Sequence, residues 1–490
     1  MSRYLTPLHL ISIVLVAVLV IYGSAGLRGT DQYWYVGDTE RIISGDTSNT
    51  TTIFFPGPIL REQSVKRPNY ILHNSFMLPI AALVGSHFGA YGGWIIVNLL
   101  FHLVVSFCLY YSGRHIVGSE KAGLIASVYL LSPIGLWQTI NPLLEMSYSA
   151  ITALCLLGYV YRERFIARAL LGVALCIGVA SHPIFVLPAV VWVFYSMYLC
   201  KDFCNKTEIF SLLCLMTGLG MAFVWKEILF PSSFQPSLEA IIVSAVPGKS
   251  NMFWHYSDIY PSVTLEFLFS KFLIAAKKHL FSVQLAPFYL FTNIAILCAI
   301  LSVVTGLRKN VVYIVPIFMF IGLYAGMIIL QQNHPRYQQI VAPVIFFTIM
   351  LALSGVLKEH LKRVVIPLCG VLVIVNCYMV HEARVESISE SQDIESIVDV
   401  ANQYGIHQKW LSVDVYPHNP ISYALAPREF LSIRTDLLDY PKIERAVELF
   451  DPLFIISSQE LGTTFLSRPI EYLDIVASTL YNGNLYLYKF

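Results

Sequence analysis

An aspartate, Asp31, follows closely on the first long apolar run of the sequence, with Tyr35 and Asp38 at i+4 and i+7. If 31–44 is a helix lying on a membrane surface, those three positions share one face. A carboxylate held at the mouth of a membrane cavity can act as a general base, and Tyr35 can orient it. The plain alternative is a set of solvated loop acids beside aromatic interface anchors. Glu145, in Asn141-Pro142-Leu143-Leu144-Glu145-Met146, opens another apolar run, and an acid one turn inside a span normally faces protein or a cavity. It can polarise a substrate hydroxyl or simply hold a helix end. His182 stands in Ser181-His182-Pro183, at a break between two apolar runs. It is either a substrate contact or a partner for carbonyls that the break sets free.

Arg336 and Tyr337 lie in Asn333-His334-Pro335-Arg336-Tyr337, a short turn between two late apolar runs, and no other short exterior turn carries a basic residue. The guanidinium is a planar fork suited to phosphate, and here it would sit at headgroup depth. Its alternative role is contact with bulk lipid headgroups. Lys277 and Lys278 stand a few residues before a further apolar run. They either join the same phosphate site or snorkel as interface anchors. No Walker A, GxSxG, HExxH or paired CxxC pattern is present, so ATP-driven transport, serine hydrolysis and zincin chemistry have no sequence support. Cys200 and Cys204 lack two further ligands nearby, so no metal site is expected there; a divalent metal elsewhere stays open without residues to support it, and no other cofactor is indicated.

These residues belong to a chain of 490 residues that is 56% hydrophobic and only 13% charged. Soluble domains carry about 25% charged residues, so a cytosolic enzyme, a disordered chain and a nucleic-acid binder are excluded. With 32 basic against 31 acidic residues, no global field draws the chain to a polyanion. The 29 tyrosines and 30 phenylalanines suit many membrane–water interfaces. Apolar runs near 8–27, 90–111, 122–137, 143–161, 169–180, 184–199, 209–225, 285–307, 311–330, 340–357 and 364–380 read as about eleven spans. Taken as one helix, 169–199 would run about 46 Å, too long for a hydrocarbon core of about 30 Å, and Pro183 favours a break.

The basic loops then fall on one side, which puts Met1 in the cytoplasm and the C-terminus outside a cell membrane. The first run is longer than a signal-peptide core and is read as a retained span. None of the nine cysteines falls in an exterior segment, so no exterior disulfide framework is expected.

A membrane module over 1–381 is therefore expected, with exterior loops at 28–76 and 226–284. Inside it, 77–88 is too short to span and reads as an interfacial or re-entrant helix. The composition changes to that of a soluble domain at 382–490. Helical patterns at 393–403 and 443–450 alternate there with strand patterns at 410–415, 430–433 and 453–457. Asn482-Gly483 marks a hairpin between 475–480 and 485–488. The expected fold class is an all-α polytopic membrane protein with a small C-terminal α/β domain outside.

The order of these features resembles the GT-C glycosyltransferases, especially the protein-mannosyltransferase and aminoarabinose-transferase-like group. The resemblance rests on Gly29-Thr30-Asp31-Gln32-Tyr33-Trp34-Tyr35 after the first run and Gly85-Ser86-His87-Phe88-Gly89 ending a short helix. It rests further on Glu145, Ser181-His182-Pro183, and Arg336-Tyr337 with Pro343. It covers about 1–360 in architecture. Gln32 stands where such enzymes often have a second acid, His182 where they often have lysine, and His73-Asn74 near a usual Pro-Pro.

The resemblance implies inverting transfer of a sugar from a polyprenyl-phosphate donor to a lipid, glycan or protein acceptor at the outer face. It maps the family's catalytic aspartate onto Asp31. A carrier phosphate leaves already charged, so no general acid is obligatory, and Arg336 would stabilise its developing charge. Two other classes stay open in the residues alone: a polysaccharide or lipid transporter or polymer ligase, and a non-catalytic membrane scaffold. The transporter class is disfavoured by nearly charge-free spans and the absence of repeated halves.

Overall fold

The computed structural model describes 6–28, 30–45, 53–54, 77–161, 164–181, 183–185, 188–189, 338–353 and 358–404. It describes 408–490 as well, apart from 416–418, 426–427, 436–438, 479–480 and 482, and a few single positions between 266 and 323. The chain divides into two compact units: Met1–Ser24 with Tyr70–Pro231 and Ser270–Glu382, and Ala25–Asn69 with Ser232–Phe269 and Ala383–Phe490.

The first unit is helical. Helix α1 (Pro7–Gly23) starts at Thr6, whose hydroxyl accepts from His9 N, with proline in the first turn. Its polarity is inverted relative to a soluble helix. Ile11, Val14, Val18 and Ile21 are exposed while His9 and Ser12 are buried. The His9 ring nitrogen Nε2 meets Ser106 Oγ at 2.7 Å. An apolar outside with small and polar groups inside is what a lipid environment selects. After α2, which belongs to the second unit, helix α3 (Met77–Val117) is two helices joined at Gly89, whose φ of 78° only glycine adopts easily. Gly93 has Ala81 O and the Gly85 backbone where a Cβ would stand, so the segment before Gly89 folds back onto the segment after it. A short helix ahead of a full span was expected at 77–88, and Gly89 ends it.

The next run departs from expectation. One straight span was expected over 122–137, but α4 (Ser119–Leu130) and α5 (Pro133–Thr139) meet at a 57° bend. Pro133 cannot donate back into α4, and Asn376 Nδ2 donates to Leu131 O at 2.9 Å, satisfying a carbonyl at the break. Helix α6 (Glu145–Val160) packs on α3, and α7 (Phe165–Ser181) packs on α6. A 3-10 turn at Pro183–Phe185 follows α7. The break is where the proline predicts it, but Ile184 belongs to this turn rather than to the start of the next span. Helix α8 (Gln338–Ala352) packs against α6 and α3.

Helix α9 (Lys358–Asn402) corrects another expectation. The span over 364–380 and the helix expected at 393–403 are one continuous helix. No glycine or proline lies between Val380 and Asn402 to stop it. Val364, Val371, Ile374 and Tyr378 are exposed on its first part. Among the described residues, α3 and α9 are long and apolar enough to cross a membrane, and the bent α4–α5 pair passes the same test only when its two helices are taken together.

The second unit holds α2 (Thr30–Ser44), the 383–402 part of α9, and a six-stranded sheet. The strands are β1 (Ile53–Phe54), β2 (Trp410–Val413), β3 (Phe430–Ile433), β4 (Phe454–Ser457), β7 (Glu471–Ser478) and β8 (Gly483–Lys489), in spatial order β1-β3-β2-β4-β8-β7. The β1, β3, β2 and β4 pairings are parallel, and β8 and β7 add antiparallel. Crossover helices are α10 (Asn419–Leu425) and α11 (Tyr440–Phe450). A two-stranded ribbon, β5 (Thr464–Phe465) with β6 (Arg468–Pro469), lies between β4 and β7 in the chain. Asp439 caps α11 by accepting from Lys442 N, and Ile443, Val447 and Phe450 pack on Leu411, Ile433 and Ile455 of the sheet.

The strand and helix patterns read from the sequence over 410–457 match these elements closely. The expected hairpin is present as the antiparallel β7–β8 pair, while Asn482 lies outside the described residues. Gly483 is already in β8, paired with Ser478. The strand β1 was not anticipated.

Candidate functional site

Helix α2 carries the acidic, aromatic segment, and it is amphipathic in an unusual sense. Tyr33, Val36, Gln32 and Thr39 are buried, while Tyr35 and Asp38 are half-buried. At 100° per residue, positions 33, 36, 37 and 40 form one face, and positions 31, 35 and 38 fall on the opposite one. The first face packs against the C-terminal domain. The Tyr33 ring centroid lies 5.4 Å from that of Tyr423 on α10, and a Cβ on Gly37 would touch the Tyr423 ring at 3.4 Å. Tyr33 OH donates to Glu390 Oε2 on α9 at 3.2 Å, and Tyr423 OH donates to Glu40 Oε1 at 3.1 Å. Burial first, and then the Glu390 carboxylate, push the Tyr33 phenol far above its ordinary range; burial and Glu40 do the same to Tyr423. Both phenols are therefore proton donors at any working pH.

The chain enters α2 just as firmly. Gln32 Oε1 accepts from Arg28 N at 3.1 Å, Ser387 Oγ donates to Leu27 O at 3.3 Å, and Arg28 Nη1 lies 3.8 Å from Glu386 Oε2. The surface-lying helix expected over 31–44 is thus a helix laid on the C-terminal domain, and positions 31, 35 and 38 fall on the face turned away from it.

Glu145 is the first residue of α6 and is only 3% exposed. A helix N-terminus is a favourable place for a carboxylate, since the amide dipoles converge there. Its position is set by Asn98 on α3, which sequence reasoning missed. Asn98 Nδ2 donates to Asn141 O at 2.8 Å and Leu143 O at 3.2 Å, with a longer contact to Gln138 O. These are carbonyls of the turn that leads into Glu145. The available signal was an asparagine in the middle of an apolar run, a costly placement without such partners. Asn98→Leu keeps approximate bulk and removes the donor, so it is expected to cost about 1–3 kcal/mol. A lowered Tm of the purified protein in detergent is the check, and an unchanged Tm would show that the amide is dispensable.

Gln339, in the first turn of α8, donates to Tyr129 OH at 2.8 Å and to Ser149 Oγ at 3.2 Å. Ser149 lies one turn on from Glu145 in α6. The start of α8, directly after Arg336 and Tyr337 in the chain, is thereby pinned to the same end of α6 that carries Glu145. Arg336, Tyr337, Lys277, Lys278 and His182 themselves lie outside the described residues, as does the side chain of Asp31. Among the described residues no group of three or more His, Cys, Asp or Glu side chains could hold a metal ion.

No family model and no curated protein matches the sequence. Solved structures do match the fold. ArnT from Cupriavidus metallidurans bound to undecaprenyl phosphate superimposes with a TM-score of 0.63 at 11% identity, over 98% of this chain and 97% of that one. The Archaeoglobus fulgidus oligosaccharyltransferase, in complex with zinc and sulfate, gives 0.56 at 12% identity, over 92% of this chain and 67% of that one. The archaeal oligosaccharyltransferase AglB from the same organism, with an inhibitory peptide and a dolichol-phosphate, gives 0.52 at 11% identity, over 92% and 69%. Among its described residues this chain is mostly helical, with a C-terminal part built on a sheet. The chain shares its fold with these solved structures of ArnT and of the archaeal oligosaccharyltransferase.

Proposed function

We propose that the protein is a membrane glycosyltransferase that moves a sugar from a polyprenyl-phosphate donor to a cell-envelope acceptor, whether lipid, glycan or protein. The observation that carries this reading is the fold match, over 98% of the chain, to a protein bound to undecaprenyl phosphate. In the proposed reaction an acceptor hydroxyl oxygen attacks the anomeric carbon, and the bond from that carbon to the carrier phosphate breaks with its electron pair. The hydroxyl proton goes to a carboxylate. Asp31 is the proposed base, supported by its place in the first turn of α2 on the face away from the C-terminal domain. Tyr35 and Asp38 share that face.

Glu145, buried at the start of α6, is the proposed second carboxylate, polarising a substrate hydroxyl. Arg336 clamps the leaving phosphate, with Tyr337, His182, Lys277 and Lys278 as further substrate contacts. The proposed topology has about eleven spans, with Met1 in the cytoplasm and 382–490 outside the cell membrane. A reporter joined to residue 490 should be active only outside, and cytoplasmic activity would overturn the outward-facing site.

The decisive assay offers purified full-length protein a panel of polyprenyl-phosphate sugars with envelope lipid, glycan and peptide acceptors. At least one donor should yield glycosylated acceptor and free polyprenyl phosphate in equal amounts. A complete panel with no transfer, from protein that binds polyprenyl phosphate, would sink the transferase reading and favour carrier transport or scaffolding.

A further inference from the structure

The transferase reading gives α2 a base to present, and the geometry behind α2 has an unexplained feature. Glu390 is only 6% exposed, yet it is a carboxylate. A buried charge is seldom the most stable choice, since well-packed apolar groups usually serve stability as well or better. What a buried hydrogen-bonded carboxylate does supply is direction. Glu390 accepts from the Tyr33 phenol, two residues after Asp31.

The residues around that bond form a seam. Glu386, Ser387, Glu390 and Ser391 share one face of α9, at i, i+1, i+4 and i+5. A Cβ on Gly26 would come within 2.9 Å of Ser391 Oγ, so the chain entering α2 runs tight against the same face. Tyr423 adds a second tie two helical turns further along, through Glu40. One bond near each end of α2 resists both sliding and rotation about the helix axis.

Rotation is the motion that matters. A side chain reaches about 5–6 Å from a helix axis, so a turn of 10° displaces its tip by about 1 Å. A displacement of that size in a reacting group can cost on the order of 100-fold in rate. We infer that Glu390, acting through Tyr33, is a positioning residue that fixes the rotation of α2 and hence the reach of the proposed base. This inference rests on the transferase reading. The C-terminal domain is then the back wall against which the base helix is set.

The test uses full-length protein with Tyr33→Phe, Glu390→Ala, their double variant, and Glu390→Gln. Tyr33→Phe and Glu390→Ala should each lower kcat by about tenfold while the donor KM stays within about twofold, because the carrier phosphate is held elsewhere. The double variant should be no slower than the worse single, since both remove one bond. Glu390→Gln keeps an acceptor for the phenol and should recover kcat to within about threefold of the parent. A purely structural role would lower the amount of folded protein without this pattern of kcat loss, unchanged KM and glutamine rescue. Parent-like kcat in Glu390→Ala, additive losses in the double variant, or failure of Glu390→Gln to recover would each overturn the proposal. If the parent itself transfers no sugar, the transferase reading fails separately. Hydrogen exchange then decides the positioning: amides of 30–44 should exchange faster in Glu390→Ala, and unchanged protection would refute the tie.

Discussion

Asp31→Asn should fold and insert as the parent does, bind donor with unchanged affinity, and turn over on the order of 100-fold or more slowly. The amide keeps size and hydrogen bonding but has no basic lone pair, so the acceptor hydroxyl loses the group that takes its proton. Stability should hardly change. Removing one charge from the first turn of a helix costs a few tenths of a kcal/mol, and α2 is secured by Tyr33, Gln32 and Tyr423 rather than by position 31. Asp38 shares the same face two turns on and is the competing base, so Asp38→Asn belongs in the same experiment. If Asp31→Asn turns over normally and Asp38→Asn is inactive, the base is Asp38 and the enzyme class survives. If both amides and Glu40→Gln are fully active, the transferase reading loses its chemical centre.

That competition shows how far a sequence reaches in a protein like this. The face shared by 31, 35 and 38 follows from helical spacing alone, and so does a helix over this segment. What lies behind the helix does not follow, because Glu390 and Tyr423 are more than 350 positions away and carry no local signal of their partner. Strand β1 is the same case in miniature: two residues, Ile53 and Phe54, gain their strand character only by pairing with Phe430 and Leu431.

Breaks were legible where a special residue marks them. Gly89 and the proline of Ser181-His182-Pro183 end helices where expected. Pro133 was equally visible, yet the surrounding hydropathy is unbroken, and hydropathy reports solvent rather than helix direction. The reverse error occurs in α9. Composition changes sharply near Glu382 because the surroundings change there, but nothing in the local backbone chemistry stops the helix. Asn98 belongs to a third kind: a lone polar residue in an apolar run, whose meaning depends wholly on which carbonyls it meets.

Arg336→Lys should lose activity through both binding and catalysis while leaving the fold intact. The start of α8 is pinned by Gln339 to Tyr129 and Ser149, contacts the substitution does not touch. Charge is conserved, so long-range attraction of an anionic carrier survives. What is lost is the planar fork, which can donate two parallel hydrogen bonds to one phosphate where an ammonium acts as a point charge. Hydrogen bonds to charged groups contribute roughly 1.5–3 kcal/mol, so losing one arm should slow kcat/KM by about 10- to 150-fold. Part of the loss should fall on kcat, because the leaving phosphate gains negative charge as its bond to the sugar breaks and the fork is aimed at that charge. Lys277→Ala and Lys278→Ala should each be milder if those lysines act only as interface anchors, with changes confined to donor KM. Parent-like kcat/KM in Arg336→Lys would remove the arginine from the mechanism. A loss in Lys277→Ala as large as that in Arg336→Lys would move the phosphate site toward the second long loop.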